Sequence, residues 1–461
     1  MWSWVRKRAV PALYERLSGR HPWGELARLR ELQWRSPVEL EARALQRVRA
    51  LVGHAGAHVP YYRERLSAAG LAAEDMASLA DLARIPISGK GDLHVDSARR
   101  VLADNLPARR RVLSSTAGST AMPFRFYADR AASEVWLGSY LLFREWADAP
   151  LGGVMIWIPG PAHASATARL LAKARAAAAG LLVGERTVHL SDFEPDLGEL
   201  CRQIRRLAPG CGYSIWGFPS YIARIAAQLI ESGASLPAYP RVVFTYAETL
   251  SMLNRRAIER AFRCPVANHY SSWEVLHLAQ TCPDRPEVLH VNSERAVVRI
   301  VRPDGMPAPS GEPGRVVVTD LANYVMPFIN YEIGDWAVAG DPCACGRGFP
   351  TLTSLEGRVG ETLRTPGGRT ILPIALCRFL NIVARAHPYL WEYQAVQTAP
   401  DHVVFTVVPT ARLTAAVADT LRAQLEGFLG PGMTVTVQSV DRIPVEPSGK
   451  RFLVKSRIAE T

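Results

Sequence analysis

No stretch of this chain stays apolar for anything near the roughly 20 residues that a membrane-crossing helix needs, so no span is expected. The start, Met1-Trp2-Ser3-Trp4-Val5-Arg6-Lys7-Arg8, lacks a long apolar core preceded by charge, so it does not read as a secretory signal, and the cytoplasm is the expected compartment. Cysteine is scarce and odd in number, seven in 461 residues, which excludes a disulfide framework in favour of reduced thiols or a metal site. Blocks of Lys and Arg interleaved with aromatics are missing too. The net charge of +11 therefore points to small polyanions and not to nucleic acid. What is present is globular: 48% hydrophobic and 21% charged residues, in a chain longer than one ordinary core. A large domain plus a smaller one follows.

The first 110 residues or so read as helical. Ser36-Pro37-Val38-Glu39 has the form of a capping box with Pro at the first helical position, and Leu40, Ala44, Val48 and Leu51 then mark one face. A second helix is expected after Pro60 to about Gly70, and Ile85-Pro86-Ile87-Ser88-Gly89-Lys90 reads as a structural turn. From about residue 112 short β-branched runs alternate with helical stretches. Strands are predicted at Val154 to Ile158, Arg241 to Thr245, Ala296 to Val301 and Arg315 to Thr319, with helices at Arg130 to Trp146, Ala162 to Ala179, Pro219 to Ile230 and Leu250 to Phe262. Pro303-Asp304-Gly305 and Ser310-Gly311-Glu312-Pro313-Gly314 punctuate a hairpin. Beyond Gly357 a smaller α+β unit is expected: strands near Glu392 to Gln397, His402 to Val408 and Thr434 to Val440, and a helix from Ala411 to Phe428. The glycines of Gly357-Arg358-Val359-Gly360 suit either a hinge or an ordinary turn.

Three landmarks carry chemistry. The apolar run Met326 to Ile333 reads as a buried strand that delivers Asp335 at its mouth, where a carboxylate accepts two hydrogen bonds from a ribose diol. Pro447-Ser448-Gly449-Lys450 mounts a compact point charge behind a flexible turn, able to reach a phosphate. Ser114 through Pro123 is a small hydroxyl-rich loop whose N–H and O–H donors suit a polyphosphate, although it lacks the Gly-Lys-Ser/Thr ending of a Walker loop.

Together these motifs resemble the adenylate-forming enzymes, specifically the phenylacetate-CoA ligase-like branch with its capsule-polysaccharide-type homologues, over nearly the whole chain. The resemblance implies an α/β fold, with a large N-terminal adenylate-forming domain of packed sheets and helices over 1–357 and a small mobile α+β lid over 358–461. The loop Thr116 to Pro123 is similar to the branch's phosphate loop, with Thr116, Gly118, Ser119 and Thr120 as nucleotide ligands and departures at Ala117 and Ala121. Tyr270-Ser271-Ser272-Trp273-Glu274 resembles a Tyr-Gly-Ser-Ser-Glu segment, implying nucleotide contacts from Tyr270 and Ser271 and a magnesium carboxylate at Glu274; Val242 to Glu248 looks like the strand and loop that flank adenine. Asp335 matches the ribose ligand, Arg358 the hinge-adjacent arginine and Lys450 the adenylation lysine. The implied reaction is attack of a carboxylate on the α-phosphorus of ATP, giving an acyl-adenylate and pyrophosphate, then acyl transfer to coenzyme A. An amine acceptor with amide formation, or a non-catalytic nucleotide-binding homologue, stays open. The partners on this reading are a small-molecule carboxylate, ATP and the acceptor, with no nucleic acid and no membrane. A homodimer is compatible with it, though nothing in the residues fixes the oligomeric state.

Cys282, His290, Cys343 and Cys345 form a Cys3His set of the ligand types structural zinc prefers, if the fold joins its two halves; four unrelated core residues are the alternative. Some members of the branch carry a similar cluster. His277 competes with His290 for the fourth place, while Cys201, Cys211, Cys264 and Cys377 read as core. Trp136, Tyr140, Trp216, Gly217, Tyr246 and Trp273 are candidate walls of an acyl pocket for an aryl or arylacetic acid, although aromatics at such positions also serve simply as core.

Overall fold

The computed structural model describes residues 15–16, 19, 21–94, 98–116, 124–149, 153–158, 185–190, 196–207, 210, 212–358, 362–372, 375–376, 379–380, 383, 390–409, 413–441, 443 and 453–458. Its first elements are the helices α1 (Pro22–Leu32), α2 (Pro37–His58) and α3 (Pro60–Ala68). The capping box forms: Glu39 N donates to Ser36 Oγ at 3.3 Å and Ser36 N to the Glu39 carboxylate at 2.9 Å, satisfying donors that a helix start leaves bare. Leu40, Ala44, Val48 and Leu51 are all buried, as their spacing predicts.

The centre is an eleven-stranded sheet in the order β10-β11-β12-β13-β9-β8-β7-β6-β5-β3-β4. Its parallel half comprises β3 (Val154–Ile158), β4 (Arg186–His189), β5 (Tyr213–Gly217), β6 (Val242–Tyr246) and β7 (Val266–Tyr270). β3 and β6 are near-continuous apolar runs, as strands covered on both faces should be, whereas the edge strand β4 is mixed and partly exposed. Residues of α5 (Leu197–Arg205), α6 (Pro219–Ser232) and α7 (Met252–Phe262) share one core cluster with them. The antiparallel half comprises β8 (Ala279–Thr281), β9 (Leu289–Val291), β10 (Ala296–Val301), β11 (Pro313–Asp320), β12 (Tyr331–Gly340) and β13 (Thr351–Arg358), and it packs with α2 and α3. Gly305 (φ +85°) turns the expected β10–β11 hairpin. The two-stranded ribbon β1 (Arg111–Ser115) and β2 (Arg125–Asp129) leads into α4 (Ser133–Trp146).

One expectation fails where the site is built. Met326 to Asn330 is not a strand but an irregular segment, although Met326, Phe328 and Ile329 are fully buried. Its backbone is satisfied by a side chain, since Tyr62 Oη donates to Pro327 O at 2.9 Å and accepts from Ile329 N at 3.0 Å. Asn330 then turns the chain at φ +50°. The strand begins only at Tyr331, so Asp335 lies within β12 and not at a strand mouth. Burial produced the apolar run; the left-handed residue decided where pairing starts.

A separate four-stranded sheet follows, β18-β17-β16-β19, built from β16 (Leu390–Ala399), β17 (His402–Pro409), β18 (Thr434–Ser439) and β19 (Val454–Ser456). The helix α8 (Ala415–Leu429) covers it, capped by Thr414. Phe405, Leu421 and Leu425 lie in its own core, against which Leu253 of α7 packs. The short pair β14 (Leu363–Arg364) and β15 (Thr370–Ile371) precedes it. The expected helix at Ala162 to Ala179 lies outside the described residues.

Candidate functional site

Three segments meet at the end of β7. Tyr270, its last residue, donates through Oη to Asp335 Oδ2 at 3.0 Å. Asp335 is the register partner of Arg358, the last residue of β13. Tyr270, Asp335 and the Arg358 backbone are thereby brought together. The loop after β7 is tied to itself: Val275 N donates to Ser272 Oγ at 3.0 Å and His277 N to Ser271 Oγ at 3.1 Å. This folding buries Glu274, only 5% exposed. Tyr331 Oη donates to Glu274 Oε1 at 3.1 Å, and Lys90 Nζ stands 3.7 Å from the same oxygen.

By sequence Lys90 belongs to a structural turn, yet the fold sets it at this site. The chain brings it here because Ser88 pairs with β12, taking Asn330 O at 3.0 Å through its N–H and receiving Glu332 N at 2.9 Å. The available signal was local: Ser88-Gly89-Lys90 repeats the Ser-Gly-Lys order of Ser448-Gly449-Lys450. A carboxylate this deeply buried is costly unless paired, and Lys90 with the Tyr331 hydroxyl supplies that pairing.

Thr116 holds the base of the hydroxyl-rich loop, with Thr116 N donating to Phe124 O at 2.9 Å and Phe124 N to Thr116 Oγ1 at 3.2 Å. Ala117, Gly118, Ser119, Thr120 and Ala121 lie outside the described residues, as does Lys450. Glu248 accepts from Ser220 N at 3.2 Å, at the start of α6.

The aromatic candidates divide. Trp136 and Tyr140, one turn apart on α4, pack on His277 with ring centroids 5.8 and 5.4 Å away, and Tyr140 reaches Trp216 at 5.7 Å. Trp216 stacks on Phe244 at 3.9 Å. Tyr246 accepts a hydrogen bond from the Trp157 indole. Trp273 is not brought into this group: it is 59% exposed and makes no ring contact with the others among the described residues. Gly217 has a packing reason to lack a side chain, since a Cβ there would lie 2.7 Å from Ile158 O. His269, missed by sequence, and His277, weighed there only as a metal ligand, face each other with His277 Nδ1 2.8 Å from His269 Nε2. Burial pushes His269 down to about 4, and holds His277 well below the ordinary imidazole range with the neighbouring His269 acting in the same direction.

The two halves of the Cys/His set do converge. The potential ligand atoms of Cys282, His290, Cys343 and Cys345 all lie within 4.8 Å of one another. Pairing of Thr351 on β13 with His290 on β9 returns the Cys343 loop to Cys282. Cys282 Sγ is 3.9 Å from Cys343 Sγ, and Cys345 Sγ is 3.2 Å from His290 Nε2. The other ring nitrogen, His290 Nδ1, faces Phe349 O at 3.3 Å, so an N–H there leaves Nε2 as the ligating atom. His290 and not His277 joins the cysteines, because His277 faces His269 instead. At Cys345 burial pushes the thiol up, yet hydrogen bonding from Arg347 and the facing cysteines brings it below its ordinary value. The donor set and its compactness fit a closed four-coordinate zinc.

No family model matches the chain. It is 25% identical to a phenylacetate-coenzyme A ligase of Thermus thermophilus over 72% of this chain and 73% of that protein. It is 24% identical to Protein CapK of Staphylococcus aureus over 58% of each chain. Among solved structures, 2-hydroxyisobutyryl-CoA ligase in the postadenylation state superposes with a TM-score of 0.74 at 18% identity, covering 92% of this chain and 91% of that one. The fold is thus that of the adenylate-forming CoA ligases. Within it, the resemblance to phenylacetate-CoA ligases and CapK read from the motifs is borne out.

Proposed function

We propose that this protein is an ATP-dependent, AMP-forming carboxylate ligase that makes an acyl-adenylate and passes the acyl group to coenzyme A. The observation that carries the reading is the gathering of Tyr270, Asp335 and buried Glu274 around the end of β7, with Lys90 at hand. Asp335, oriented by the Tyr270 hydroxyl, would take the hydroxyls of a ribose diol on its carboxylate. Thr116 to Thr120 would wrap the phosphates and Glu248 with Ser271 would flank the nucleotide. Magnesium on Glu274 would neutralise phosphate charge, and one or two carboxylates suffice beside substrate oxygens. In its absence Lys90 keeps Glu274 compensated.

Lys450 would then meet the α-phosphate, and Arg358 would reach ribose or phosphate oxygens from the junction of the two sheets, with 1–357 and 358–461 as the moving bodies. Such a site works by positioning two anions and stabilising developing charge. The Cys282, His290, Cys343 and Cys345 cluster would hold a structural zinc with no open position. ATP and coenzyme A as co-substrates would suit a cytoplasmic setting.

The test is carboxylate-dependent exchange of labelled pyrophosphate into ATP across aryl, arylacetic and aliphatic acids. Exchange with at least one acid is expected, and Lys450→Ala should lose about 2.7 to 4 kcal/mol of transition-state stabilisation, roughly 100- to 1,000-fold. Exchange that Lys450→Ala leaves unchanged refutes the role of that residue, and no exchange with any acid refutes the ligase.

A further inference from the structure

The histidine pair beside the aromatic cluster, with His269 buried and His277 half-buried, has one self-consistent proton arrangement. Gln280 is the cross-strand partner of His269. Its Nε2 donates to Phe143 O, which fixes the amide with Oε1 as the remaining acceptor. His269 Nδ1 and Gln280 Oε1, on these two cross-strand neighbours, are both buried without a hydrogen-bond partner, and the Gln280 side chain acts on the His269 ring against its burial. An N–H on His269 Nδ1, aimed at Gln280 Oε1, is the arrangement that would serve both orphaned atoms; a lone pair there would set two acceptors against each other. Neutral His269 then carries a bare Nε2, which can only accept, so the 2.8 Å contact is His277 Nδ1–H donating to His269 Nε2. The relay ends on His277 Nε2 as an unprotonated acceptor. Among the described residues nothing donates to it.

The backbone points the same way. His277 sits at φ +57°, the left-handed region, which carries some strain for any residue with a side chain although histidine, like asparagine, adopts it more readily than most. The strain places the imidazole three residues beyond Glu274, on the same self-tied loop, against Trp136 and Tyr140 of the helix that follows the hydroxyl-rich loop. A purely apolar wall needs neither the strained conformation nor an oriented lone pair.

The geometry points to His277 as the specificity residue of the acyl site: its Nε2 accepts a hydrogen bond from a hydroxyl or amino substituent on the carboxylic acid, so the substrate class is a donor-bearing acid and not a plain aryl or arylacetic acid. This rests on the ligase reading above and deepens it. A site that expects a donor rejects the analogue lacking it far more sharply than an apolar pocket rejects a missing methylene, because its own polar atom is left unpaired.

The experiment is pyrophosphate exchange on matched pairs: benzoate against its hydroxy and amino derivatives, and phenylacetate against its own, with wild type, His277→Gly and His277→Asn. The readout is the ratio of kcat/KM within a pair, which a general loss of folding or activity does not change. Wild type should prefer the donor-bearing member of at least one pair by about tenfold or more. His277→Gly, relieved of the strained φ, should bring that ratio near one, and His277→Asn, which tolerates the same backbone and keeps an acceptor oxygen, should retain part of it. Should the glycine variant be inactive, the asparagine variant decides, by a ratio reduced or equal to that of wild type. A wild type that uses every plain acid at least as well as its partner, or variants that keep the full preference, overturns the assignment. Absence of exchange with every acid overturns the ligase reading itself, a distinguishable failure because no ratio then exists.

Discussion

Lowering the pH should destabilise the fold through His269 by an amount the structure sets. His269 is 6% exposed on β7, and burial pushes its pKa from the ordinary 6.5 to about 4. The groups acting on it are Gln280 and the neighbouring His277 and Phe143, and His277 in turn feels Arg295, so no carboxylate among these groups supports a charged imidazole. Above pH 6.5 the ring is neutral in folded and unfolded chains alike. As pH falls toward 4 only the unfolded chain gains the proton, so the unfolded state is favoured and stability drops; below about 4 the loss levels off. Each pH unit in that window is worth ~1.4 kcal/mol. Between pH 7.5 and 5 the loss from this one group is about 2 kcal/mol, a shift of a few degrees in the unfolding midpoint. Denaturant titrations followed by tryptophan fluorescence, at pH 7.5, 6 and 5, should show His269→Gln less stable than wild type at pH 7.5 but losing about 2 kcal/mol less on acidification. Parallel losses in the two proteins would refute the buried neutral imidazole, and with it the proton arrangement that orients His277.

Elemental analysis of purified protein should find zinc bound, and Cys343→Ser with Cys345→Ser should abolish it and lower the melting temperature; metal-free wild type removes the structural zinc. Gly217→Ala should destabilise by roughly 1 to 3 kcal/mol, because the added Cβ would sit 2.7 Å from Ile158 O and force β3 from β5. An unchanged thermal melt of that variant would show that the two strands separate without cost.

Much of the scaffold is written locally. The capping box at Ser36, the buried face of α2 and the apolar strand Val154–Ile158 each follow from neighbours in sequence, whose propensities and periodicity agree with the final fold. The Cys3His set was likewise legible as ligand types, since thiolate and imidazole chemistry does not depend on the path between them. What the residues alone left undecided were the distances across many intervening residues. Asp335 was expected at a strand mouth, yet a turn at Asn330 delays the strand to Tyr331.

Chemistry and local propensity are properties of single residues and their near neighbours, so the sequence by itself determined the motif types, the helical start, the alternation of strand and helix and the three cysteines with two candidate histidines that could hold a metal. Only the tertiary structure decided that Lys90 stands beside Glu274, that His290 and not His277 joins the cysteines, and that His277 faces His269 next to Trp136. These are juxtapositions made by strand pairing, between segments far apart in the chain for Ser88 with Tyr331 and His290 with Thr351 and between consecutive strands for His269 with Gln280. Register fixes them, and register is chosen by the burial of the whole sheet.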